Sequence, residues 1–301
     1  MTHKWHNLSE RGSPFALRLI LWIALHLGRT TARIILFPIT LYFLLFAKPQ
    51  RLASRHYLNR ALKRPPTLKD IARHIHCFAS TILDRVFLLA DQGDCLDVRI
   101  HNAELILDLV AQKEGCILLG SHLGSFEVLR VLAVSHHKLP LKILMYPDHN
   151  QHITQIFSAL NPEVADTVIP LGRMETLLEV DEYISQGYII GMLGDRVVGD
   201  ERSTSCEFMG EQTPFPEGPM LLASTLKAPV ILFFGLYRGG NRYDIHFELF
   251  SDKITVDRKH RATELQQHTQ HYANRLEHYT HMAPYNWFNF YDFWNDQDKT
   301  E

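Results

Sequence analysis

Short apolar runs alternate along this chain with stretches of helical periodicity, and this alternation restricts the fold more than any other feature. The runs predicted as strands are 116–120, 141–146, 167–170, 188–193, 229–236 and 243–249. The stretches predicted as helices between them are 125–135, 150–160, 173–186 and 217–227. Such alternation builds βαβ units, so we predict an α/β fold, a mainly parallel mixed sheet with helices on both faces. Arg238-Gly239-Gly240-Asn241 separates the last two runs and predicts a hairpin, the antiparallel part of the sheet.

The chain is long enough for one large domain. Its 301 residues, 46% of them hydrophobic and 21% charged, are typical of a folded protein with a full core. Further helical periodicity covers 67–92, 103–113 and 258–282. Pro65-Pro66 marks a boundary, so we predict an N-terminal segment over 1–64 and a main domain over 65–301.

Charge is divided unevenly along the chain. The formal net charge is −2, yet residues 1–64 hold 11 Lys and Arg against one acidic residue, Glu10, so the remainder carries an excess of acid. A basic segment of this kind contacts an anionic surface, either nucleic acid or a membrane. The same segment is strongly apolar from Phe15 to Ala47, and no nucleic-acid-binding module is recognisable. We therefore predict attachment to a membrane and no nucleic-acid partner.

The form of this attachment stays open. Residues 34–47 are too few for the roughly 20 apolar residues that a spanning helix needs. An interfacial hairpin and one tilted span with snorkelling arginines both fit the pattern. The basic run from Lys48 to Arg64 fits a cytoplasmic flank. A buried core helix is the remaining interpretation of the segment.

Cysteine and histidine usage predicts neither a disulfide framework nor a metal site. Cys77, Cys95, Cys116 and Cys206 lie far apart with no C-x2-C pair, so we expect reduced thiols. Several histidines fall near one face of the helical stretch 258–282, but no Cys or acidic residue completes a zinc shell there.

The run from Gly120 to Glu127, GSHLGSFE, is the strongest candidate for chemistry. It follows an apolar strand and passes into a helical pattern, so His122 lies at a strand-to-helix turn, where a side chain can face a cleft. Glu127 can reach back to the ring, and a histidine with an acid partner takes a proton from a hydroxyl or amine near neutral pH. Gly124 and Ser125 begin the helix, whose first backbone N–H groups are free to bind an oxyanion or a phosphate. Chance spacing is the alternative, since the chain has 18 His and 33 acidic residues.

A second element follows the apolar run 188–193. Asp195 and Arg196 close this strand, so they lie on the same carboxyl edge of the sheet as His122. Arg196 can bind a phosphate or an oxyanion, and Asp195 can hold Arg196 or position the acceptor. A structural ion pair is the alternative.

A third element is the Pro- and Gly-rich loop Phe208–Pro219. Its composition predicts a rigid loop, and Gly218 opens the helical stretch that follows. A glycine at a helix N-terminus suits an anionic or carbonyl group. A structural turn is the alternative.

In this order, the three elements resemble the lysophospholipid acyltransferase superfamily and, more closely, its bacterial lipid A biosynthesis (lauroyl/myristoyl) acyltransferase family. That family has an N-terminal membrane anchor, an H-x4-D/E motif, a strand ending in an Asp-containing loop and a later F-x-G-x5-P-x-G-P loop. Here these are His122–Glu127, Gly194–Arg196 and Phe208–Pro219, and Pro284–Phe288 is similar to the family's closing Pro/Trp segment. The usual pattern has Gln or His after the Asp. Arg196 in that place resembles a side branch associated with aryl-polyene-type lipid clusters.

The resemblance implies transfer of a fatty or related acyl group from a thioester, on acyl carrier protein or CoA, to a hydroxyl of a membrane lipid. His122 would be the general base, and Glu127 would fix the ring tautomer and stabilise the imidazolium. Arg196 and the turn around Gly124 would bind the oxyanion or a phosphate. No cofactor or metal is implied. The expected location is the cytoplasmic face of the bacterial inner membrane, at its phospholipid surface.

Two other functions remain open. Ser121 or Ser125 beside His122 would serve a membrane-bound serine hydrolase or esterase, although the G-x-S-x-G of many such enzymes is absent. A catalytically idle lipid-binding protein would keep the same fold and anchor. Acyl transfer from a labelled thioester, with and without an acceptor lipid, separates the three functions.

Overall fold

The structure is a computed structural model that describes residues 14–136, 138–146, 159–173 and 175–294. The helices are α1 (Pro14–Phe46), α2 (Lys48–Ala61), α3 (Leu68–Leu89), α4 (Glu104–Gln112), α5 (Phe126–Val131), α6 (Pro162–Ala165), α7 (Thr176–Ser185), α8 (Gly218–Leu226) and α9 (Arg261–Met282). The strands are β1 (Asp97–His101), β2 (Cys116–Gly120), β3 (Leu141–Met145), β4 (Val168–Pro170), β5 (Ile189–Leu193), β6 (Ser203–Phe208), β7 (Glu211–Pro216), β8 (Val230–Gly239) and β9 (Arg242–Ser251).

Seven strands form one sheet in the order β1-β9-β8-β2-β5-β3-β4. Neighbouring strands are parallel except β8 and β9, which pair antiparallel. The prediction of a mainly parallel mixed sheet is confirmed, and so is the predicted hairpin, which joins β8 and β9. β2 is buried along its whole length, as expected for a central strand that helices cover on both faces.

Two hydrophobic cores lie on opposite faces of the sheet, because alternate side chains of each strand point to opposite sides. Ile117 and Leu119 of β2 pack in one core with α8 and α9. Cys116 and Leu118 pack in the other core with α4 and α5. The thiol of Cys116 is therefore enclosed among apolar side chains, and all four cysteines are free thiols.

The sequence patterns do not predict two parts of the observed structure, β1 and the hairpin of β6 and β7. β1 has only five residues at the edge of the sheet, and its short alternation of polar and apolar residues lies between two long helical patterns. β6 and β7 form a separate antiparallel hairpin where the Pro and Gly density predicts a rigid loop. Most of the helix predicted over 150–160 lies outside the described residues.

The N-terminal helix α1 is kinked at Gly28, whose φ of 80° interrupts the helical backbone. Beyond the kink, Ala32 and Leu36 on one face are buried in a small cluster with Phe87 of α3. The opposite face is apolar and more than half exposed at Ile34, Phe37, Leu41, Leu45 and Phe46. Among the described helices, α1 is the one that is long and apolar enough, over Leu19–Phe46, to cross a membrane.

An ion pair joins α1 to the rest of the protein directly after this kink. Arg29 Nε donates to Asp84 Oδ1 at 2.8 Å and Nη2 to Oδ2 at 3.0 Å, while the Tyr243 hydroxyl donates to Oδ2 at 2.8 Å. Asp84 is fully buried, so these donors replace the water that its carboxylate loses on folding. One turn further on, Arg33 donates to the hydroxyl of Tyr237 at 2.9 Å. The helix is therefore held to the sheet as well as to α3.

The boundary expected at Pro65-Pro66 lies between α2 and α3, and side chains from both sides of it share one core. Tyr57 and Leu58 of α2 are fully buried in the same cluster as Ile75 of α3. The Tyr57 hydroxyl donates to the carbonyl oxygen of Pro284 at 2.6 Å. Residues 48–61 therefore pack as part of the main body of the protein.

Candidate active site

The carboxyl ends of β2 and β5 lie side by side and bring two of the expected site residues together. The two strands are parallel neighbours, in register up to the pair Gly120 and Leu193. His122 follows the first strand and Asp195 the second, at the edge where open parallel sheets bind their ligands. Nδ1 of His122 lies 2.8 Å from Oδ1 of Asp195, and the His122 backbone N–H donates to both carboxylate oxygens at 3.1 Å.

Asp195 is fully buried and surrounded by donors. Trp287 Nε1 donates to its Oδ2 at 2.9 Å, and Asn289 Nδ2 donates to the same oxygen at 3.4 Å. Burial alone would raise the pKa of Asp195, but His122, Arg196 and Trp287 together lower it to about 2. Asp195 is therefore a carboxylate at neutral pH, and this acceptor places the ring proton of His122 on Nδ1.

The imidazole of His122 is suited to act as a base. Burial lowers its pKa, the positive charge of Arg196 lowers the pKa further, and Asp195 opposes both effects. The net shift is downward, so the ring is neutral at neutral pH. Because Nδ1–H is bonded to Asp195, Nε2 keeps the lone pair with which a general base takes its proton.

Glu127, the expected partner of His122, is turned toward arginines instead. Its Oε1 pairs with Nη2 of Arg85 at 2.8 Å and accepts from Nη1 of Arg130 at 3.4 Å. The reason is local: Glu127 lies in the first turn of α5, beside α3, and Arg85 of α3 attracts its carboxylate. Asp195 occupies the position beside the ring that the resemblance implies for Glu127.

The backbone amides of Gly124 and Ser125 are bonded within the protein. Gly124 N–H donates to the carbonyl oxygen of Asn286 at 2.8 Å, and Ser125 N–H donates to that of Gly235 at 2.7 Å. These two amides are therefore not free for an oxyanion, contrary to the expectation from the sequence. Gly124 has φ +77°, and a Cβ there would lie 1.9 Å from the Gly235 oxygen. This close approach seats the loop that carries His122 against β8.

Arg196 borders the same space and is fixed by the chain that follows α9. Its Nε donates to Oδ1 of Asn289 at 2.6 Å and its Nη2 to the carbonyl oxygen of Phe288 at 3.0 Å. The Tyr291 ring centroid lies 5.7 Å from the guanidinium carbon. These contacts hold a positive charge beside His122 in one orientation.

Gly218 stands apart from this group. It is exposed at the start of α8, and it is not among the described residues that line the cavity. The hairpin before it buries Phe208 and Phe215 completely, and Phe208 packs edge-on against Trp287. The described contacts of Phe208–Pro219 are those of a structural element, and none of them supports Gly218 as a binding residue.

A cavity of about 520 Å³ opens at this edge of the sheet. Its polar side carries Gln50, Arg85, His122, Ser125, Glu127 and Arg196. Its apolar wall contains Phe78, Ile82, Ile143, Leu144, Met145, Met192, Leu193, Phe288 and Phe290. The lining therefore combines an imidazole and a cation with apolar side chains suited to a hydrocarbon chain.

Ser121 and Ser125 also line this cavity. Among the hydrogen bonds of the described residues, none joins either hydroxyl to His122, the contact that would activate a serine nucleophile. The described geometry therefore gives the serine hydrolase alternative no support.

The family comparison agrees with the chemistry of this cavity. Residues 78–296, well over half of the chain, match the family model described as bacterial lipid A biosynthesis acyltransferase. The chain belongs to this family. It is an acyltransferase that acts on lipid. No curated protein is similar enough to the chain to count as a match.

In this acyltransferase, the segment after α9 supplies site residues that residue patterns alone do not predict. Trp287 and Asn289 reach Asp195, and Phe288 accepts from Arg196. Trp287 is 92 residues from Asp195 in sequence, so no local spacing connects them. The available signals are the density of aromatic residues in the tail and its similarity to the closing segment of the family.

Three side chains of metal-ligand type lie together outside the acyltransferase cavity. His101, Asp244 and His246 bring their ligand atoms within 4.8 Å of one another across β1 and β9. The two imidazole rings are stacked, with centroids 4.4 Å apart and planes 6° from parallel, and Arg238 pairs with Asp244 at 2.7 Å. Lone pairs in parallel ring planes do not converge on one point, so this arrangement does not form a metal shell.

Replacing Trp287 by Phe tests the donors around Asp195. The substitution removes Nε1, so a buried carboxylate loses one hydrogen bond, at a cost of roughly 1.5–3 kcal/mol. Trp294→Phe is the matched control, because this indole is also buried and its Nε1 makes a long hydrogen bond of 3.4 Å to the Phe208 carbonyl oxygen rather than a bond to a carboxylate. Chemical denaturation in detergent should show the larger loss of unfolding free energy for Trp287→Phe. Equal losses would mean that the bond to Asp195 contributes nothing.

Proposed function

We propose that this acyltransferase moves a fatty or related acyl group from a thioester, carried by acyl carrier protein or CoA, to a hydroxyl of a membrane lipid. The observation that carries the proposal is the hydrogen-bonded pair of His122 and Asp195 on the polar side of a cavity with an apolar wall. A neutral imidazole held by a buried carboxylate removes a proton from a hydroxyl, and the apolar wall suits an acyl chain.

The reaction begins when the acceptor oxygen attacks the carbonyl carbon of the thioester and its proton passes to Nε2 of His122. Asp195 stabilises the imidazolium that forms. When the tetrahedral intermediate collapses, the bond between carbon and sulfur breaks. His122 then returns the proton to the departing thiolate, which leaves a lipid ester and a free thiol.

We assign Arg196 to the negative charge of the intermediate or to a phosphate of the substrate. Its guanidinium borders the cavity and is fixed by Asn289 and Phe288. A cation that is already oriented needs little reorganisation as charge develops in the transition state. The amides of Gly124 and Ser125 are bonded elsewhere, so Arg196 takes over the role implied for that turn.

We also propose that the enzyme works at the cytoplasmic face of the bacterial inner membrane, where its thioester donors occur. Support comes from the exposed apolar face of α1 and from Phe78 and Ile82 of α3, which are 37% and 39% exposed and also line the cavity. A lipid that enters past these side chains avoids water on its way to His122. One face of α1 is covered by α3, which favours an interfacial anchor over a helix surrounded by lipid.

Transfer of a labelled lauroyl group from lauroyl-acyl carrier protein or lauroyl-CoA tests the proposed reaction. With hydroxylated lipids, from lipid A precursors to lysophospholipids, wild-type enzyme should form a labelled lipid ester. Purified His122→Ala should lose roughly 10²–10⁴-fold in rate because the general base is gone. It also loses a donor to buried Asp195, so its rate is measured below its own melting temperature. Label released only as free fatty acid would favour a hydrolase, and normal turnover by His122→Ala would exclude this base.

The pH dependence of kcat/KM separates the effects of Asp195 and Arg196. Protonation of His122 stops its action as a base, and its lowered pKa should place the acid limb below about 6.5. Arg196→Gln removes a charge that lowers this pKa, so the limb should move to higher pH. Asp195→Asn removes a charge that raises it, so the limb should move to lower pH while kcat falls. Shifts in the same direction would contradict the arrangement.

Membrane attachment through α1 is tested with the triple variant Ile34→Asn, Phe37→Asn, Leu41→Asn. Each side chain contributes roughly 1.5–3 kcal/mol when buried in an apolar phase, so binding to phosphatidylglycerol and phosphatidylethanolamine vesicles should fall at least about a hundredfold. The control variant, Ile100→Asn, Leu107→Asn, Leu178→Asn, changes three exposed apolar residues elsewhere and should bind as wild type. Equal vesicle flotation of the two variants would exclude this face of α1.

A further inference from the structure

Glu127 has one carboxylate oxygen that the proposed reaction leaves unused. Oε1 is occupied by Arg85 and Arg130. Oε2 is buried and has no hydrogen-bond partner. The residue as a whole is 7% exposed and lines the cavity. A buried acceptor that has lost water without gaining a donor is unfavourable. A ligand that supplies a donor would give this oxygen its missing hydrogen bond.

A second buried acceptor without a hydrogen-bond partner belongs to a residue that lines the same cavity. Gln50, at the end of the first turn of α2, has a buried Oε1 without a partner, and it lines the cavity together with Glu127. Two acceptors without donors in one cavity call for a ligand with more than one N–H or O–H group. A bare hydrocarbon chain and a single reacting hydroxyl do not satisfy both.

The charge around Glu127 indicates which kind of donor fits. Arg85 and Arg130 already offset the charge of the carboxylate, so a further cation is not required there. The ring of His122 has its own carboxylate in Asp195. Glu127 is therefore available for recognition, and a neutral hydroxyl or secondary amide is the group that its Oε2 accepts from.

We propose that Glu127 Oε2 and Gln50 Oε1 form a recognition subsite for neutral O–H or N–H groups of the bound substrate, separate from the group that reacts. This inference rests on the proposed acyl transfer. Two sources supply the same chemistry: hydroxyls or amides of the acceptor lipid, and the amides and hydroxyl of the pantetheine arm of the thioester. In either case Glu127 sets substrate affinity, whereas Asp195 sets the basicity of His122.

Glu127→Gln tests the subsite with little change in volume. Arg85 and Arg130 attract the amide oxygen, so the NH2 group takes the place of Oε2, and a donor then meets a donor. With lauroyl-CoA and a tetra-acylated glucosamine disaccharide lipid as substrates, the KM of one of them should rise about tenfold to a hundredfold. Both kcat and the acid limb of the pH profile should stay near wild type. Asp195→Asn is the control, because it should lower kcat and move the limb.

Replacing lauroyl-CoA by S-ethyl thiododecanoate, which has no N–H or O–H group, identifies the source of the donor. If the effect of Glu127→Gln disappears with this thioester, the subsite binds the pantetheine arm. If the effect persists, the subsite binds the acceptor. Gln50→Met, which breaks no ion pair, should raise the same KM by a smaller factor and keeps the test valid if Glu127→Gln folds poorly.

Two results would overturn the subsite. Unchanged KM values for both substrates in Glu127→Gln and Gln50→Met would mean that neither oxygen contacts substrate. A fall in kcat with a shifted acid limb in Glu127→Gln would mean that Glu127 acts through His122. Fluorescence titration with lauroyl-CoA and with the disaccharide lipid gives dissociation constants without turnover. Binding that depends on Glu127 in an enzyme that transfers nothing would overturn the proposed function and leave the subsite standing.

Discussion

The carboxylate of Asp195 is a negative charge enclosed at the end of a parallel sheet, and the geometry of the cavity depends on how that charge is accommodated. Removing an ionised carboxylate from water is costly unless donors replace the water. The donors come from the loop after β2 and from the segment after α9, which are far apart in the chain. These two segments must therefore meet around the end of β5 for the protein to fold, and the same meeting orients His122. The stability of this region and the orientation of His122 therefore share one cause.

Two buried carboxylates, Asp195 behind His122 and Glu127 in the cavity lining, differ because their surroundings differ. Asp195 accepts from an imidazole, an indole and a backbone amide, which leaves it close to a group able to change its protonation state. Glu127 is paired with two guanidinium groups, those of Arg85 and Arg130. A carboxylate beside an imidazole tunes a base, whereas a carboxylate fixed by arginines offers a constant acceptor. The position of Glu127 in the H-x4-E motif does not by itself show which of these two roles it has.

Local pattern was sufficient for the elements whose burial is continuous. The apolar runs of β2 and β5 predict two buried strands, and the rule for carboxyl edges then places His122 and Asp195 together. The sequence pattern does not predict the ion pair of Glu127 with Arg85, because tertiary packing of α3 against α5 brings the two residues together. The hydrogen bond from Trp287 to Asp195 is not predictable either, because no periodic pattern or local spacing connects the two residues. β1 was missed because an exposed edge strand needs few apolar residues.

The ion pair of Arg29 with Asp84 gives the N-terminal helix a property beyond anchoring. The half of α1 after Gly28 is tied to α3 and, through Tyr243, to β9, so it cannot pivot independently of the sheet that carries His122. With a bilayer against the exposed face of α1, the height of the imidazole above the lipid becomes a fixed dimension of the protein. Under the attachment proposed for α1, the enzyme would reach acceptor hydroxyls only at one distance from the membrane plane, so this distance would select the acceptor together with its chemistry.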